Sequence, residues 1–276
     1  MLFGNKKCSN CESNHDIALL TCPVCGAPNE EPEAQKVSKA TPMLLWNKQL
    51  IIGAIGMFGI SVLSAIAMFA AAMITSSDPN NLEPKVLLIC NTIAYLVIFA
   101  ALIFVLLKDW KTILQSGKKW QTYVWAAAGI VVIFGLGFGL TQLRNYLVPS
   151  TNENQGKVNE MLTAIPPLAF LVMGIVGPIC EEITYRLGFF NFFRRINLPC
   201  AYIFSTILFA LCHMSLEPFM ALDVNGIVSE LASLPIYLIL GGVLAFIYDR
   251  KGLTASCIVH IVYNTINIII GLATIK

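Results

Sequence analysis

From Leu50 onward the chain alternates between long apolar runs and short polar breaks. The runs lie at about 50–75, 86–107, 122–143, 162–194, 199–215, 231–248 and 253–273. Apart from the short fifth, each reaches the ~20 residues that a helix needs to cross the hydrocarbon core of a bilayer. Apolar positions are continuous rather than alternating, which predicts helices and argues against a β-barrel. The fourth run is too long for one simple crossing. Either it tilts, or it breaks near Pro178 and adds an eighth element. The pattern predicts an all-α polytopic membrane protein with seven to eight transmembrane helices. There is no internal repeat, and no pair of Gly/Pro-broken helices in matching halves of the kind that marks a transporter.

The first 48 residues differ. Residues 1–27 are polar and carry four cysteines, while 28–48 hold Pro28, Pro32 and Pro42 among charges and read as a linker. The expected organisation is a cysteine module at 1–27, a linker at 28–48 and a transmembrane helical domain at 49–276, with its motif-bearing core at about 162–273. Asn5, Lys6 and Lys7 lead into polar residues, so no signal peptide is expected.

Composition sharpens this picture. Charged residues are 12% of the chain and hydrophobic ones 57%, against ~25% charged in a soluble domain. That excludes a soluble globule and a disordered chain, and a net charge of +2 excludes nucleic-acid binding through bulk positive charge. Of the 18 Lys and Arg residues, all but five lie before the first run or in every second loop after it. Lys85, Arg144, Lys157 and Lys276 fall on the opposite side, and Arg186 sits inside a run. The bias predicts a cytosolic N-terminus and, with seven crossings, an outside C-terminus.

Cys8, Cys11, Cys22 and Cys25 form two CxxC knuckles separated by ten residues. Four thiolates at this spacing suit a tetrahedral structural Zn2+, which supplies folding energy that so small a module cannot draw from a core. The alternative is a pair of disulfides, which a cytosolic N-terminus disfavours. His15 reads as a loop residue rather than a ligand. Residues 1–35 hold two lysines against five carboxylates, a net of −3 that would repel phosphate. A protein partner or simple anchoring is the expected role. The other cysteines (Cys90, Cys180, Cys200, Cys212, Cys257) read as small core residues.

Polar residues interrupt the last four runs at Glu181, Glu182 and Arg186, at His213, and at His260 and Asn264. An ionised side chain at a helix centre costs ~2.5–3.5 kcal/mol on the insertion scale. At ~1.5 Å per residue, Glu181 lies ~20 Å from Arg194, His213 ~21 Å from Pro199, His260 ~14 Å from Lys251 and Asn264 ~20 Å from it. These residues therefore share a depth near mid-bilayer, as one enclosed, water-filled site would require. Glu182 and Arg186, at i,i+4, can pair. Glu181 lies ~100° round the helix and is less compensated, which suits a general base acting on water. His213 can share that work, and His260 and Asn264 can donate to a developing oxyanion. Interhelical hydrogen-bond glue, a structural Glu–Arg pair and a proton-coupled transporter are the competing readings. A catalytic zinc on His213, His260 and a Glu is compatible with residue type, but no HExxH helix supports it by spacing.

EExxxR, FxxxH and HxxxN in this order resemble the CPBP family of intramembrane proteases, which includes the CAAX prenyl proteases of the Rce1 type and the Abi immunity proteins. The likeness runs from about Gly177 to Asn267. It implies peptide-bond hydrolysis in a membrane cavity, with Glu181 activating water, Glu182 and Arg186 supporting it, His213 positioning water or substrate, and His260 and Asn264 stabilising the oxyanion. It further implies a membrane-embedded or lipidated peptide or protein substrate, and an integral protein of a bacterial cell membrane. Some members act as immunity or scaffold proteins, so a non-catalytic adaptor that binds a partner through the cysteine module is the alternative. One departure is visible. The family's Arg-Gly is Arg186-Leu187-Gly188 here, with the glycine shifted by one.

Overall fold

A computed structural model of the chain describes residues 3–19, 21–29, 43–79, 82–148 and 153–274. Most of the expected linker, 30–42, lies outside the described residues. The architecture is mostly helical, preceded by a small antiparallel hairpin of β1 (Asn5–Lys7) and β2 (Asn14–Asp16) in which Lys6 pairs with His15. His15 is thus a strand residue rather than a loop residue. Its Nε2 bonds Asn29 Oδ1 at 3.0 Å.

Among the described residues six helices are long and apolar enough to cross a membrane, so this is an integral membrane protein. They are α1 (Trp46–Thr75), α2 (Pro84–Leu106), α3 (Trp120–Leu147), and, after the polar helix α4 (Glu153–Ala164), α5 (Pro166–Arg194). The short α6 (Leu198–Leu211) is followed by the long α7 (Val224–Lys251) and α8 (Leu253–Thr274). The expected fifth crossing is therefore only 14 helical residues. Asn197 caps its start by accepting the Cys200 N–H at 2.8 Å, and the helix ends just before His213. Gly252, at φ 78°, makes the tight turn that folds α8 back beside α7.

The long fourth run does not break at Pro178. Helix α5 is continuous, but π-helical turns at Phe170–Val176 and Ile183–Phe190 flank its α-helical centre, Gly177–Glu182. A wider turn before Pro178 relieves the clash that its ring would make with the carbonyl of Gly174. The second stretch absorbs the extra residue Leu187, which is fully buried. It thereby presents Gly188 to α1, where a Cβ would lie 2.8 Å from the Gly53 nitrogen. One turn away, a Cβ on Gly56 would lie 1.6 Å from Thr184 Oγ1. Helix α1 can approach α5 this closely only through glycine.

Polar pairs sort to the two ends of the bundle. At the basic end Lys48 pairs with Asp109, Arg194 Nη1 meets Asp249 Oδ1 at 3.0 Å, and Tyr202 donates to Asp249 Oδ2 at 3.1 Å. At the other end Arg144 donates to Ser229 (2.7 Å) and Ser233 (3.3 Å), and Lys157 pairs with Glu217 at 3.5 Å. Segment α6 starts at the first end, and the chain after it reaches the second, where Ser215 N–H donates to Glu230 at 3.2 Å. Among the described residues six spans are long enough to cross, against the seven to eight expected, because α6 is too short to count. Arg144, Arg194 and Arg195, which pattern alone assigns to solvated loops, are buried. Cys212, read as a core residue, is exposed.

Candidate active site

Helices α5 and α8 and the break after α6 bring five of the six singled-out polar residues into one cluster. Glu182 and Arg186 are fully buried and pair at 3.2 Å (Oε2 to Nε) across the junction of the α and π turns. The other oxygen of Glu182 meets His260 Nδ1 at 3.1 Å. Glu181, one residue earlier, points elsewhere. Its Oε2 lies 3.7 Å from His213 Nε2 and 3.8 Å from His260 Nε2. Both gaps exceed hydrogen-bond length. That oxygen is buried without a hydrogen-bond partner among the described residues, as are Arg186 Nη1 and Nη2. The guanidinium stands over the Phe209 ring, 5.3 Å from its centroid.

Hydrogen-bond partners assign the tautomers of the two histidines. His213 Nδ1 lies 2.8 Å from the Phe209 carbonyl, and His260 Nδ1 faces a carboxylate oxygen. Both partners only accept, so each Nδ1 carries a proton. The two Nε2 atoms both face Glu181 Oε2. Tyr237 stacks on His213 with ring centroids 4.9 Å apart and fixes its plane. Asn264, one turn along α8 from His260, donates to the Met173 carbonyl at 3.0 Å in the first π stretch. One of its two N–H bonds is thus engaged on the backbone.

Comparison with known proteins converges on the same segment. Residues 163–266, which hold all six of these side chains, match the family model "Type II CAAX prenyl endopeptidase Rce1-like". Over these residues the chain is similar to the Rce1-like family. A Bacillus subtilis (strain 168) protein named "Putative membrane peptidase YdiL" is 25% identical over 207 residues, 72% of this chain and 78% of the relative. No solved structure matches.

The four cysteines lie outside the matched residues. All are free thiols, and their Sγ atoms lie within 4.8 Å of one another, with Cys8–Cys25 and Cys11–Cys22 each at 3.6 Å. Zn–S bonds of ~2.3 Å in a tetrahedron place sulfurs about 3.8 Å apart, so the donor set fits such an ion. The Ser13 hydroxyl (3.3 Å), aided by the Cys25 backbone, pushes the Cys22 thiol down to about 5. Hydrogen bonding, first from the Ala27 backbone, lowers Cys25 as well. Both shifts favour the thiolate, the form that binds metal.

One hub escaped the sequence reading. Arg195 follows an apolar run beside Arg194 and resembles an orientation marker, yet it is fully buried. It reaches Asp16 in the cysteine module, 179 positions away. The aspartate is likewise buried, which no local pattern signals.

Proposed function

We propose that the chain is an intramembrane endopeptidase that hydrolyses a peptide bond in a membrane-embedded or lipidated protein or peptide with water activated by Glu181. The observation that carries this reading is the convergence of His213 Nε2 and His260 Nε2, at 3.7 and 3.8 Å, on the buried, unpartnered Oε2 of Glu181. A water held between the Glu181 carboxylate and the two imidazoles would donate to Glu181 and aim a lone pair at a carbonyl carbon. The water oxygen bonds to that carbon as its proton passes to Glu181. The carbonyl becomes an oxyanion, for which Asn264 retains one N–H. Collapse breaks the C–N bond, and Glu181 returns the proton to the departing amine.

Glu182 and Arg186 act one step removed. The carboxylate holds His260 in the tautomer that turns Nε2 toward Glu181, and the guanidinium balances its charge. The N-terminal module would hold a structural Zn2+ through Cys8, Cys11, Cys22 and Cys25 on the cytosolic side. That ion supplies folding energy there.

The test is a comparison of membrane-protein termini in cells carrying the wild-type chain and Glu181→Ala. Termini that depend on Glu181 are expected. Identical sets, with function lost only on deletion of residues 1–27, would favour the adaptor. If the protein with its four cysteines replaced by serine still needed a divalent cation for cleavage, water activation would move from Glu181 alone to a cation on the same three atoms.

A further inference from the structure

The cysteine module and the basic end of α5 share one buried network. Arg195 donates from Nε to Gln49 Oε1 (2.7 Å), from Nη1 to Asp16 Oδ1 (2.9 Å) and from Nη2 to the Leu44 carbonyl (2.5 Å). Asp16 is the second hub. Its Oδ1 also accepts the Ala18 N–H at 2.9 Å, and its Oδ2 accepts the N–H of Trp46, the first residue of α1, at 3.2 Å. Phe3 packs edge-on against Phe192, with ring centroids 5.4 Å apart, and lies 6.0 Å from the Arg195 guanidinium. One ion pair therefore joins the module, the start of α1 and the end of the helix that carries Glu181.

Asp16 ends β2, and the hairpin before it is closed at Cys8, whose N–H donates to Ser13 O at 2.9 Å. An isolated hairpin with three residues per strand has little stability of its own. A metal on the four cysteines would supply what the hairpin lacks.

We propose that the cysteine module is a metal-dependent clamp on the membrane domain, with Asp16 and Arg195 as its positioning residues. Metal orders the hairpin, Asp16 then holds Arg195, and Arg195 locks the end of α5 against α1. Through α5 the clamp reaches Glu181 and Glu182. That last link rests on the peptidase reading, whereas the link from metal to membrane fold does not.

The experiment uses the full chain in detergent, loaded with Zn2+. Zn2+ affinity is measured by competition with a chromophoric chelator, and unfolding of the helices by circular dichroism, for wild type, Asp16→Asn and Phe3→Ala. Coupling is reciprocal. Stripping the metal should lower the wild-type unfolding temperature, and Asp16→Asn should bind Zn2+ about tenfold more weakly. Stripping Asp16→Asn should then lower its unfolding temperature little further. Phe3→Ala removes a ring contact and no charge, and should shift both readouts the same way by less, which keeps the test usable if Asp16→Asn does not fold. In peptide cleavage, Asp16→Asn should lower kcat with KM unchanged. Equal Zn2+ affinity in wild type and Asp16→Asn, or an equal temperature drop on stripping both, would overturn the clamp. Binding and melting need no peptide. A wild type without cleavage activity would sink the peptidase reading and leave the clamp standing, while cleavage with uncoupled metal would sink the clamp alone.

Discussion

Helix α5 carries two buried polar clusters ~20 Å apart along its axis, and they are built on opposite principles. Around Arg195 each of the three nitrogens of the guanidinium meets an acceptor, and Asp16 binds a cation and two backbone N–H groups, with Gln49 Nε2 left unbonded among the described residues. Around Glu181 the polar atoms are left short, with Glu181 Oε2 and both Arg186 terminal nitrogens unbonded among the described residues. A nearly saturated network holds helices in place. A less saturated one keeps capacity for something that arrives, which on the proposed reading is water and a peptide. Burial separates the two as well, since Glu181 and His213 keep 16% and 21% side-chain exposure against 0% and 2% for Arg195 and Asp16.

The largest stability loss should come from Arg186→Ala. It would strand the Glu182 charge in a dry core and destabilise the fold by ~3–5 kcal/mol, as loss of one partner from a buried pair generally does. Replacing the pair together, Glu182→Gln with Arg186→Met, should recover most of that loss in a thermal melt yet leave cleavage impaired, because His260 loses its carboxylate. Full recovery of both would mean that the pair plays no part in the site. Next comes the seam between α1 and α5. Gly188→Ala drives a methyl to 2.8 Å from the Gly53 nitrogen and should cost ~1–3 kcal/mol, checked by chemical unfolding. A neutral result would mean that the π stretch can shift its register. The smallest effect belongs to Lys157→Ala. Its pair with Glu217 at 3.5 Å is exposed on both sides, so unfolding should change by under ~1 kcal/mol and cleavage not at all.

Much of the membrane domain is legible in the apolar runs, because a bilayer forces continuous helices with few places for a charge. For the same reason Glu181, Glu182, Arg186, His213, His260 and Asn264 stand out as exceptions. The short α6 is harder to read, since Cys212, Met214 and Leu216 extend the apolar run past Leu211, where the helix ends. The π stretches leave no mark except Pro178 and the displaced Gly188. Arg195 is hidden by its neighbour Arg194 and by the positive-inside bias, which explains any basic residue at such a point. Its true partner is 179 positions away. Contacts of that range are set by tertiary packing, which periodicity does not carry.

The most direct test is cleavage of a membrane peptide by purified protein in lipid nanodiscs, with wild type and Glu181→Gln compared in kcat/KM and in unfolding temperature. Loss of a general base predicts a fall of roughly 10²–10⁴ in kcat/KM. Because Glu181 has an unpartnered oxygen in the cluster, the unfolding temperature should be unchanged or slightly raised. Cleavage at the wild-type rate by Glu181→Gln would contradict the account, and so would a loss of activity matched by a loss of fold.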